Sequence, residues 1–149
     1  MIKNLHPVAG ATALILILAF WFSTALSELF AGPATVIMVK TLIPYGFIVL
    51  IPAIIVAGAS GFRLGKGWRG PVITRKQRRM PFIAANGLLI LIPSALYLSA
   101  KAEGGTFDTG FYVVQALELI AGAINITLLT LNMRDGLRLS GNRRARPQA

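Results

Sequence analysis

Three charged residues interrupt the apolar runs of this 149-residue chain: Glu28, Lys40 and Glu118. A charge inside hydrocarbon is costly, so such residues are paired with one another or mark a pathway. Lys40 falls about six residues into the second apolar run and Glu118 about seven into the fourth. At 1.5 Å per helical residue both lie roughly 9–10 Å below the same edge of a four-helix arrangement. An amine and an acid at one depth on different helices would offset much of each other's desolvation. With a second acid, Glu28, near the same edge, the trio has the composition of a proton- or ion-coupled carrier.

Polar side chains elsewhere in the runs extend that reading. Gln115, Glu118, Gly122, Asn125 and Asn132 are spaced 3, 4, 3 and 7, within about 100° of one another on a helix of 3.6 residues per turn. Ser23, Thr24, Ser27 and Glu28 gather at one end of the first run, and Asn86 and Tyr97 share a face of the third. If these faces converge, Glu28, Lys40, Asn86, Gln115, Glu118 and Asn125 form a buried polar and charged cluster. The alternative is interhelical hydrogen bonding that holds the bundle together, worth ~0.6–2 kcal/mol per contact.

Redox and enzyme chemistry find less support. His6, the one histidine, sits at the edge of the first run, where it is a candidate cofactor ligand; a b-type haem would need a second ligand from Met80, Met133 or another copy's His6. No cofactor is expected on this reading, with b-type haem the alternative. Cysteine is absent, and no cluster of His, Cys or carboxylates has metal-ligand spacing. No phosphate loop, HExxH, GxSxG or triad is present, so the chain reads as non-enzymatic.

The elements that would position these residues follow from composition. Hydrophobic residues make up 55% and charged residues 13%, and the mean hydropathy is +0.69, values of a membrane chain. Spans are expected over about 8–30, 34–59, 81–100 and 111–133, each near the ~20 residues a bilayer requires. Pro7 is placed at the first helical position, Gly32 and Pro33 make a tight turn, and Pro44 and Pro52 should bend the second span. Ala53, Ala57 and Gly61 form a small-residue row that admits close helix approach. Gly61, Gly65, Gly67, Gly70 and Pro71 predict a loop in the first half of the connector. Residues 101–110 read as a polar loop, and 141–149 as a disordered basic tail.

Charge sets the expected orientation. Lys3, seven residues of the connector and five Arg from position 134 onward account for 13 of the 15 basic residues, all on one face. By the positive-inside rule that face is cytoplasmic, giving an all-α, up-and-down, four-helix bundle with both termini inside a bacterial-type inner membrane. Arg63, Lys66, Trp68, Arg69, Arg75, Lys76, Arg78 and Arg79 are the expected contacts to lipid head groups, anionic ones included. Because the +10 net charge lies in segments flanking the spans, nucleic acid is not an expected partner. Three functions remain: an accessory or structural subunit packing with itself or a larger membrane complex, a small carrier using Lys40 and Glu118, and a haem- or quinone-binding redox module using His6.

Overall fold

The computed structural model describes residues 2–65 and 71–144, with side chains described over 5–65 and 71–138. Helix follows helix: α1 (Ile2–Phe30), α2 (Pro33–Gly65), α3 (Pro71–Asn86), a π-helical turn (Gly87–Leu91), α4 (Ile92–Glu103) and α5 (Thr109–Arg144). No strand occurs among the described residues. Four stretches are long and apolar enough to cross a membrane: Leu5–Phe30, Pro33–Gly65, Pro71–Glu103 and Thr109–Arg138. The third is α3, the π turn and α4 running on without a break.

The helices outrun the expected spans at several ends. Hydropathy marks only the part that must sit in hydrocarbon, about 30 Å, whereas backbone hydrogen bonding continues into the polar region beyond it. Thus α1 begins at Ile2 and takes Pro7 into its interior, where the ring was expected at the first position. The loop predicted from Gly61 is not present over 61–65, where α2 stays helical, and its remaining positions 66–70 lie outside the described residues. Gly61 is held in the helix by packing: a Cβ on it would come within 2.8 Å of the His6 ring. Pro71 opens α3, where its missing N–H has no intrahelical acceptor. The backbone of α5 continues to Arg144, past the expected boundary at 140.

Packing closes the four stretches into a ring. α1 lies against α2 and α5, α2 against α4, and α5 against α3, the π turn and α4. Contacts along α1 and α2 run in opposite sense, His6 with Ser60, Phe20 with Phe47 and Thr24 with Lys40, so these neighbours are antiparallel. The same holds for the third stretch and α5, where Arg79 meets Asp135 and Asn86 meets Ala121. His6, Ser60, Arg79 and Asp135 therefore share one end of the bundle.

Apolar packing inside the ring is modest. Ala13, Ile17, Leu50 and Ala53 form one cluster, and Val36, Leu98, Ala102 and Phe111 another at the opposite end. Phe30, Ile48, Phe62, Phe82 and Leu89 face outward, each at least 70% exposed, while Lys40, Gln115 and Asn125 are buried. This inversion of a water-soluble bundle suits a hydrocarbon surround.

Two local devices set the geometry. At the α4–α5 turn, Gly105 takes a φ of +62°, Gly105 N–H donates to Ala102 O at 2.9 Å and Thr106 N–H donates to Lys101 O at 2.9 Å. This is a Schellman ending, for which glycine is the favoured residue. Asp108 then caps α5 by accepting the Phe111 N–H on Oδ1 at 2.9 Å. It also accepts from Lys101 at 2.6 Å. Hence the loop expected over 101–110 contracts to Gly104–Asp108. In the third stretch Pro93 has no N–H to give, and the register widens just before it, with Ile92 N–H donating to Gly87 O.

Candidate functional site in the bundle interior

The interior is organised by one face of α5. Gln115, Asn125, Asn132 and Asp135 are all at most 7% exposed, the consequence of polar residues recurring at three- and four-residue intervals. Its neighbours reach this face with donors. Trp21 Nε1–H of α1 donates to Leu119 O at 2.9 Å, and Asn86 Nδ2–H of α3 donates to Ala121 O at 2.8 Å. Gly122 lies beneath the indole, where a Cβ would fall 2.8 Å from Trp21 Cδ1.

Toward the α4–α5 turn the face meets a charge. Lys40 Nζ of α2 donates to Glu118 Oε2 at 2.6 Å and, more weakly, to Thr24 Oγ1 of α1 at 3.4 Å. The lysine is 1% exposed and the glutamate 13%. Three helices thus converge on one ammonium, and Glu28 lies within electrostatic reach of it and of Glu118. Buried Glu28 Oε1, and both side-chain polar atoms of Gln115, have no hydrogen-bond partner.

Below the ion pair the four stretches line a pocket of about 550 Å³, open to the surround along a side where Ile55 and Leu88 are exposed. Its wall is almost wholly apolar, including Ile17, Phe47, Ile83 and Leu129, with Thr24, Glu118 and Asn125 as its polar side chains. Asn125 is 2% exposed, borders the cavity, and has no partner for Oδ1. It stands two helical turns, about 10 Å, from Glu118.

The other end of the bundle holds separate contacts. His6 is half-buried, with Nδ1 at 3.0 Å from Ala57 O and 3.1 Å from Ser60 Oγ. Ser60 Oγ–H itself donates to the backbone, at Val56 O, so a protonated Nδ1 donating to Ala57 O satisfies both groups. The small row Ala53, Ala57 and Gly61 is the surface on which α1 lies. Arg79 Nη1 donates to Asp135 Oδ2 at 3.0 Å. Asn132 Nδ2 reaches Met80 Sδ at 3.5 Å, leaving Oδ1 without a partner. No group of three or more His, Cys, Asp or Glu converges among the described residues.

Of the residues singled out from sequence, Lys40 and Glu118 come together, Asn86 and Asn125 join the same interior, and Gln115 is buried above them. His6 belongs to the opposite end. Among the expected head-group contacts, Arg63, Arg75 and Arg78 are exposed, Arg79 is turned onto Asp135, and Lys76 lies over Gly136, 3.4 Å from the place of a Cβ there. Lys66, Trp68 and Arg69 lie outside the described residues. Trp21 and Asp135 were not anticipated, although Asp135 continues the α5 spacing three residues beyond Asn132, and a mid-span indole N–H opposite a glycine invites a carbonyl acceptor. The chain matches no family model, no curated protein and no solved structure.

Proposed function

We propose that this is a non-enzymatic subunit of a bacterial-type cytoplasmic membrane, with both termini and the basic connector on the cytoplasmic side, packing with itself or into a larger membrane complex. One observation carries the reading: the strongest interior polar contacts each tie one helix to another. Lys40 and Glu118 join α2 to α5, Trp21 joins α1 to α5, and Asn86 joins α3 to α5. Between these ties the wall is apolar, which favours cohesion over a hydrated ion path. The outward-facing large apolar side chains suit lipid tails or a neighbouring span, and exposed Arg63, Arg75 and Arg78 suit anionic head groups.

The carrier reading has its own support in Glu118, which borders the cavity while holding Lys40. Glu118→Gln separates the two. Loss of assembled protein from membranes, with unchanged proton-linked flux in whatever assembles, is the outcome expected of a tie. An assembled protein that has lost pH-dependent flux would establish the carrier. The redox reading is tested by an oxidised and reduced visible spectrum of gently solubilised protein. A stoichiometric haem band would promote His6 to an axial ligand and displace the subunit reading.

A further inference from the structure

The cavity between the four stretches is more than a packing fault. At about 550 Å³ it lies within the range of small-molecule pockets, which are mostly apolar with a few placed polar groups. Its wall offers one buried acceptor with nothing to accept from, Asn125 Oδ1, on a side chain 2% exposed. Water is a poor occupant of that position: a buried water needs two to four polar neighbours, and Glu118 stands about two helical turns away. What satisfies both features is an apolar body carrying a hydrogen-bond donor.

We propose that this cavity is a binding site for one lipid-soluble molecule, of hydroxylated ring or chain type, whose hydroxyl donates to Asn125 Oδ1 while its body fills the apolar chamber. The site goes beyond the subunit reading and does not depend on it. Gly10 and Gly58 line the chamber, and a Cβ at either would meet nothing within 4 Å. Larger side chains there have room to enter the space without first striking a helix. Trp21 is also in the wall, so its emission reports an acceptor that enters.

The test uses the purified full chain in mild detergent, in a Trp68→Phe background, titrated with 1-pyrenemethanol and with 1-methylpyrene. These probes share an apolar body and differ in the hydroxyl, and energy transfer from Trp21 reads their binding. The expected result is saturation near one probe per chain, with the alcohol bound about fivefold more tightly, the worth of one neutral hydrogen bond. Asn125→Leu should abolish that preference and leave methylpyrene binding intact, which also shows that the chamber has survived the change. Gly10→Leu and Gly58→Leu should weaken both probes by about tenfold or more through lost volume. Equal binding of the two probes by the unsubstituted protein, or a preference that survives Asn125→Leu, would overturn the proposal. So would a failure of either probe to saturate with phospholipid as the sole small molecule extracted, because the space would then belong to the bilayer.

Discussion

Lys40 of α2 and Glu118 of α5 are joined at 2.6 Å, the lysine 1% and the glutamate 13% exposed, with Thr24 of α1 as the ammonium's second acceptor. The pair is thus a junction of three helices, and its energetics are asymmetric: removing one partner strands the other charge, whereas removing both need cost little.

Lys40→Met should destabilise the solubilised protein by about 3–5 kcal/mol, the cost of an unpaired buried charge. Glu118→Leu should cost a similar amount. The double substitution should recover most of the loss, giving a coupling energy of at least ~1 kcal/mol in a thermal or denaturant unfolding cycle. Additive losses would mean that the two side chains are held apart in the membrane.

Trp21 and Gly122 make a second junction, in which an indole lies on a bare backbone and donates to Leu119 O. Gly122→Ala places a methyl 2.8 Å from Cδ1, so the ring must shift. The expected cost is ~1–3 kcal/mol, despite alanine's better helix propensity. Trp21→Phe keeps the apolar body and loses the donor, costing ~0.6–2 kcal/mol. Unfolding measurements on both variants check the pair, and a stabilised Gly122→Ala would show that the indole packs elsewhere.

Much of this interior is legible in the sequence because depth and face follow from counting. The turn at Gly32 and the loop at Asp108 fix where the spans begin, so Lys40 and Glu118 fall level, and intervals of three and four put Gln115, Glu118 and Asn125 on one side of α5. The helix ends are less legible. Gly61 and Gly65 have loop composition, yet Gly61 stays helical where the His6 ring lies on it, a contact between residues 55 positions apart that no local pattern carries. The cavity is least legible, since its volume belongs to no helix alone. It arises where four apolar faces are held around it by Lys40, Trp21 and Asn86.

At the α4–α5 turn a pH dependence follows. Hydrogen bonds from Lys101 first, and from the Phe111 N–H second, hold the Asp108 carboxyl below the usual aspartate range. A carboxyl depressed in the folded state contributes stability above its unfolded pKa, and that contribution is lost as pH falls through the folded value. Unfolding temperature should therefore drop on acidification below about pH 4 in the unsubstituted protein. The drop should be smaller in Asp108→Asn, whose amide oxygen still caps α5 but cannot titrate. Parallel acid profiles of the two proteins would sink this account.

The same turn offers a backbone test. Gly105 is left-handed at +62°, a region that costs a side-chain-bearing residue roughly 1–2 kcal/mol. Gly105→Ala should lower stability by about 1 kcal/mol, whereas Gly32→Ala, where a Cβ meets nothing within 4 Å and φ is not positive, should be close to neutral. Comparing unfolding of the two variants isolates the Schellman ending from any general glycine effect.

Orientation is the last expectation, and absence of cysteine makes it directly measurable. His6, Ser60, Arg79 and Asp135 lie at one end of the bundle, so the first turns of α1, the end of α2, the start of α3 and the C-terminal part of α5 are expected on one side of a membrane. The basic residues concentrated there are the reason we propose, by the positive-inside rule, that this end faces the cytoplasm. In a chain without cysteine, Thr106→Cys and Arg138→Cys each introduce a single thiol at opposite ends. A membrane-impermeant maleimide added to intact cells should label the first and spare the second until the membrane is opened. Labelling of Arg138→Cys alone would invert the orientation while leaving the bundle unchanged, and labelling of both would show that α5 does not cross the membrane between them in a single orientation.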